Sequence, residues 1–221
     1  MRRLSRRRPD GIEERGVDFR FPRQAMTAPD VAPEDLARAD LYALLAQLFY
    51  APPEGALLQA LAEMHRADAA GEVSALAGPW LELARRAADA DPDRVREEYE
   101  SLFIGTGRAE VTPYTAAYTL TSALANPLVE IREFLDAQGL ARKQSVHEPE
   151  DHIAALCEVM RHLILRDDAA AQRKLFESFL WPAASGLCDA ISSHRNARFY
   201  AAAARFAKTF FELEHAAFDM D

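Results

Sequence analysis

The run His147-Glu148-Pro149-Glu150-Asp151-His152 gathers two imidazoles and three carboxylates into six residues. An imidazole titrates near neutral pH and a carboxylate can hold its tautomer, so His152 with Asp151 or Glu148 has the makings of an acid–base pair. Neighbouring helical residues point about 100° apart, however, so Asp151 and His152 need not touch. A metal site would draw on His147, Asp151 and His152, but i, i+5 is poor ligand geometry on one helix and no i, i+4 histidine pair is present. The structural alternative makes Asp151 the cap of the first-turn N–H groups and packs His152 at the edge of an apolar stripe.

Three further groupings could carry chemistry or binding. Val111-Thr112-Pro113-Tyr114 is followed one helical turn later by Tyr118, and two tyrosines at i, i+4 present the amphipathic surface of a binding groove or of an ordinary core. Glu97-Glu98-Tyr99-Glu100, just before Leu102-Phe103, reads as a solvated helix face or as an electrostatic lip for a basic peptide. Phe176, Phe179, Leu180 and Trp181 read as core. Gly105-Thr106-Gly107 completes neither GxxxxGK nor GxGxxG and follows no strand, so it is read as a helix stop. Ser185-Gly186 and Ser192-Ser193-His194 lack the G-x-S-x-G elbow. Cys157 and Cys188 lie far apart, without metal-ligand spacing; two lone thiols fit a reducing cytoplasm.

These groups must be positioned by helices. Apolar residues at Ile153, Leu156, Cys157, Met160, Leu163 and Ile164 form one buried stripe, and Pro149 suits the first position of that helix, which runs to about Arg166. Glu148, Glu150 and Asp151 then meet the positive end of its dipole. Upstream, Glu34 to Tyr50 forms a first helix that Pro52-Pro53 ends. Leu57, Leu58, Leu61 and Met64 mark a second, and residues 76–88 a third with Trp80, Leu81 and Ala84 facing inward. Asp91-Pro92 opens a fourth as N-cap and first residue. Helices follow at Tyr114–Leu124, from Asn126-Pro127 to Gly139, through Phe176–Trp181 until Pro182 breaks or restarts the run, and from about Arg198 to Phe218. No segment alternates with a period of two, and Val, Ile and Thr are scarce beside Ala, Leu and Arg. The expected fold is all-α, a single globular bundle of roughly nine to ten helices over residues 33–221.

The chain has 221 residues, 49% hydrophobic and 28% charged, which is ordinary for a soluble globular protein with a substantial core. No apolar run reaches the roughly 18–20 residues that span a bilayer. The net charge of −9 is uneven. Residues 1–30 hold eight Arg against five acids (+3), and residues 31–221 hold 18 basic residues against 30 acidic ones (−12). An acidic body argues against nucleic-acid binding and favours a positively charged partner. Residues 1–32 form an arginine-rich arm with no apolar segment of a signal peptide, expected to be disordered; Met26 offers a second possible start.

In this order, Glu98-Tyr99 with Leu102-Phe103, Pro113-Tyr114 with Tyr118, Glu148-Pro149-Glu150-Asp151-His152, and Phe199-Tyr200 resemble the TorD/DmsD family of cytoplasmic molybdoenzyme maturation chaperones. The E-P-x-D-H piece is the most specific, and the likeness covers about residues 36–215. Thr106 stands where the family often has proline after the loop glycine. The resemblance implies an all-helical protein without catalytic turnover and with no cofactor of its own. It would bind the apo catalytic subunit of a molybdopterin oxidoreductase, often at its twin-arginine leader, until cofactor is inserted. It implies a leader-binding pocket formed by Asp151, His152, Pro149, Pro113, Tyr114 and Tyr118, with Glu148, Glu98 and Tyr99 beside them, in a monomer or helix-swapped dimer. The readings from other classes are a small helical hydrolase or lyase using an Asp/His pair, and a regulatory or scaffolding domain whose acidic face only solubilises it.

Overall fold

A computed structural model of the chain describes residues 19–20, 31–67, 75–105, 109–119, 126–142 and 148–220. The described residues form ten α-helices, two of which are continued by π-helical turns, and the all-α expectation holds. They are α1 (Pro33–Tyr50), α2 (Gly55–Ala67), α3 (Ala77–Ala88), α4 (Pro92–Tyr99), α5 (Ala116–Thr119), α6 (Pro127–Ala137), α7 (Ile153–Leu165), α8 (Ala169–Leu175), α9 (Trp181–Ser192) and α10 (Phe199–Met220). One two-residue antiparallel pairing joins Phe19–Arg20 (β1) to Ala141–Arg142 (β2). The expected disorder of the N-terminal arm lies, apart from residues 19–20 and 31–32, outside the described residues. So do Thr106, His147 and the second half of the helix expected over 114–124.

The core is built on α1 and α7, which pack along each other. Tyr42, Leu45, Leu48 and Phe49 give α1 its inner face. Nine of the thirteen residues of α7 are buried, as befits a helix surrounded on most sides rather than half-exposed. Helix α10 meets α1 where Phe210 and Phe211 pack on Tyr42, α9 and α3 pack in turn on α10, and α2 lies on α3. On α3 the inner stripe is Trp80, Leu83, Ala84 and Ala87: Trp80 is half-buried but packs on Phe206 of the core, so Trp80 and Ala84 face inward as expected, while Leu81 is half-buried beside the stripe.

Proline and glycine set the helix ends largely as their chemistry requires. Asp91 caps α4 by accepting from Asp93 N–H and Arg94 N–H ahead of Pro92. A π-helical turn, Glu100–Ile104, continues α4 and stops at Gly105, whose φ of 61° is open to glycine at little cost. A second π-helical turn, Phe176–Leu180, joins α8 to α9 just before Pro182. Proline cannot donate to the helical ladder and its ring crowds the carbonyl four residues back, and a widened turn relieves both.

The start of α7 differs from the expectation. The helix begins at Ile153, not Pro149, and His152 is extended, with φ −64° and ψ 130°. The cause is tertiary. Thr115 N–H donates to Asp151 C=O and Ile153 N–H to Pro113 C=O, both at 2.9 Å, so residues 113–115 and 151–153 pair like two short strands. Glu148, Glu150 and Asp151 therefore precede the helix instead of lying on its first turn.

Candidate functional site

That backbone pairing brings two distant stretches of sequence together beside the end of α1. Around it lies an open pocket of about 270 Å³, lined by Tyr50, Ala51 and Pro52 from α1 and its exit, Tyr99, Phe103 and Ile104 from α4 and its π-turn, Pro113 and Tyr114, and Glu148 and His152.

His152 has a fixed role at the pocket wall. Its Nδ1 accepts from Ala154 N–H at 3.1 Å, capping α7, so the neutral ring carries its proton on Nε2. Burial pushes the imidazole down to about 4, against a smaller upward pull from Glu148, and the ring is neutral at physiological pH. It meets Tyr114 edge to face, with ring centroids 5.4 Å apart and planes at 85°, and Tyr50 at 6.4 Å.

Glu148 is the acid of the pocket. Tyr114 Oη donates to Glu148 Oε2 at 2.5 Å, and burial together with this carboxylate pushes the Tyr114 phenol above its ordinary value, so it remains a donor. Tyr99 Oη donates to Tyr50 C=O at 2.7 Å and reaches Phe49 C=O at 3.3 Å, while Tyr200 Oη donates to Leu48 C=O at 3.0 Å. The last carbonyls of α1, which no further helical turn can satisfy, are thus held by neutral hydroxyls. No basic side chain stands on that last turn, so the negative end of the α1 dipole also faces the pocket.

Of the residues singled out from the sequence, Tyr99, Pro113, Tyr114, Glu148 and His152 line the pocket. Four others sit elsewhere. Tyr118 donates to Thr112 C=O and lays its ring against Gly186 of α9, where an added Cβ would come within 3.0 Å of it. Asp151 is buried and accepts from the Ala116 N–H at the start of α5, and burial raises its carboxyl. Pro149 supplies a carbonyl to His152 N–H. Glu98 accepts the backbone N–H groups of Arg198, Phe199 and Tyr200 at 2.8, 3.2 and 2.7 Å and so caps α10 from another helix. Sequence reasoning missed Tyr50, Ala51, Pro52, Phe103 and Ile104 as pocket residues. Pro52-Pro53 marked where the first helix stops, but no local signal says which distant loop that end will face.

An Asp151–His152 acid–base pair is not assembled. His152 Nδ1 is occupied as an acceptor and Asp151 is turned toward Ala116. Among the described residues no group of three or more His, Cys, Asp or Glu is placed to hold a metal ion, and no helix is long and apolar enough to cross a membrane. Both cysteines are buried, and burial pushes the Cys188 thiol up to about 12, far from nucleophilic use.

Known proteins bear on this geometry. The family model described as nitrate reductase delta subunit matches residues 66–189, more than half of the chain. The chaperone protein TorD of Vibrio cholerae serotype O1 is 28% identical over 140 residues, 58% of this chain and 62% of that protein. A probable Tat proofreading chaperone DmsD of Haemophilus influenzae is 29% identical over 113 residues, 50% of this chain and 55% of its own. The chain thus spans about three fifths of the length of these curated relatives. A crystal structure of a putative redox enzyme maturation protein from Archaeoglobus fulgidus superposes with a TM-score of 0.50 at 19% identity, covering 79% of this chain and 93% of that one, a likeness of fold. With more than half its length matched by the family model, this chain belongs to the nitrate reductase delta subunit family, which takes in the TorD/DmsD chaperones.

Proposed function

We propose that this protein is a maturation chaperone for a molybdopterin oxidoreductase. It holds the apo catalytic subunit through an arginine-bearing leader segment on the cytoplasmic side of the membrane and releases it chemically unchanged. The observation that carries the reading is the convergence of Glu148, the carbonyl end of α1 and several aromatic rings on one open pocket. Such a surface attracts a cation and offers apolar area beside it, and a leader with arginines followed by an apolar run presents both. The acidic body, at −12 over residues 31–221, supplies long-range attraction for the same partner. With His152 neutral and its Nδ1 committed to Ala154, the ring is placed to shape the wall and offer an Nε2–H donor, not to shuttle protons. The names of the relatives, chaperones throughout, point the same way.

The test is calorimetry of the full chain with the leader peptide of the large subunit that co-purifies with it from its host. Glu148→Gln removes a charge-assisted hydrogen bond of about 1.5–3 kcal/mol, so affinity should fall by about 10- to 100-fold with the melting temperature little changed. Undiminished binding by Glu148→Gln would sink the assignment of the site. A chemical change in the peptide would sink the chaperone reading itself.

A further inference from the structure

We propose that the pocket takes a single cationic side chain, one arginine laid among its rings with its head on Glu148, and that the second cation of a paired-arginine segment stays outside. This deepens the proposed function and rests on it for the nature of the occupant, while the cation preference comes from the pocket alone. Glu148 is the one charged residue among the ten described residues that line it. One of its two oxygens is engaged by Tyr114, which fixes the carboxylate's orientation and leaves Oε1 for a donor from the occupant. The ring of His152, neutral as a helix cap, adds no repelling charge.

Around this acid stand the rings of Tyr50, Tyr99, Phe103 and Tyr114, whose electron-rich faces attract a cation. Their packing is braced from outside the pocket. Tyr99 lies 5.0 Å from Phe103, and Tyr200 lies 5.3 Å from Phe103 and 5.7 Å from Tyr99. The carbonyls at the end of α1 are already bonded to tyrosine hydroxyls, so they contribute field rather than acceptors. A planar guanidinium stacks on rings and donates sideways to a carboxylate, whereas an ammonium is a strongly hydrated point charge that loses more on entering such a site. A second guanidinium in the same space would be desolvated opposite no carboxylate, which is costly.

The experiment titrates the full chain with four versions of one leader peptide carrying Arg-Arg, Arg-Lys, Lys-Arg or Lys-Lys. It also follows the His152 and Tyr114 ring resonances as N-acetyl-argininamide or N-acetyl-norleucinamide is added. One of the two single Arg→Lys changes should cost about tenfold or more in affinity, and the other about twofold or less. In Glu148→Gln the two single changes should become equivalent. Argininamide, but not norleucinamide, should shift the His152 and Tyr114 resonances, and Glu148→Gln should abolish the shift. Equal losses at both positions, or no loss at either, would overturn the single-cation cage while leaving leader binding intact. Argininamide shifts that depend on Glu148, with no leader peptide bound at all, would overturn the proposed function and leave the cage standing.

Discussion

Glu98 accepts three backbone N–H groups at the start of α10. Each N–H is one the helix cannot satisfy internally, and the carboxylate also meets the positive end of the dipole. Glu98→Ala should cost about 1–2 kcal/mol, read as a fall in melting temperature, and Glu98→Gln should recover part of it. His152 makes a different prediction. Its folded value of about 4 lies below the ordinary 6.5, so between those values the unfolded chain binds a proton that the folded chain does not. The stability its neutral ring contributes is complete above about pH 6.5 and is lost as pH falls toward 4. His162, pushed down to about 4 by burial and by Arg166 and Arg161, acts in the same sense. Asp151 and Glu158, raised by burial, act in the opposite sense from their ordinary values upward. Denaturant midpoints should therefore fall between pH 7 and pH 5, and fall less in His152→Asn, since asparagine caps a helix without titrating there. At this scale the sequence marked polar residues that hold backbone groups in place, and left those tasks open. Glu98, Asp151 and His152 stood out as polar groups near apolar faces, but a carboxylate's backbone partners lie up to 102 residues away, where no local pattern can find them.

The helices were the most legible elements, because apolar spacing and proline placement are local. Asp91-Pro92 and the stop at Gly105 follow from one or two residues each. The start of α7 was not legible, since Pro149 obeys a local preference that the pairing with residues 113–115 overrides. The π-turn before Pro182 lay between the two cases, as the sequence showed a break but not its form. Between elements, one polar cluster ties α1 to α10. Arg38 donates to Glu214 through Nε at 2.9 Å and Nη2 at 2.8 Å and to Asp35 through Nη1 at 2.7 Å, and Tyr42 Oη donates to Glu214 at 3.0 Å. Glu214 is only 5% exposed, so removing Arg38 alone leaves a buried carboxylate without its cation. Arg38→Met should cost about 3 kcal/mol in chemical denaturation, and Arg38→Met with Glu214→Leu should cost less than the single change. A full-length cost equal in both would show that the ion pair, and not the orphaned acid, sets the loss.

Over the whole molecule, the fold class was readable from composition and period, and the pocket only in part. Tyr99, Pro113, Tyr114, Glu148 and His152 belong to three separated stretches whose meeting the family resemblance implied and the packing of α1 against α7 produces. Tyr50 and Pro52 enter because α1 happens to end there, a fact of tertiary length and angle. The walls are then joined by main chain: Pro113 C=O accepts from Ile153 N–H and Asp151 C=O from Thr115 N–H, carbonyls that every amino acid can supply and N–H groups that every one but proline can. A lineage could exchange the tyrosines, the histidine or the glutamate one at a time without the two banks of the cleft drifting apart. If the cleft reads peptides as proposed, peptide preference can be rewritten on a frame that keeps its shape, and homologues should differ in what decorates the cleft long before they differ in where it lies.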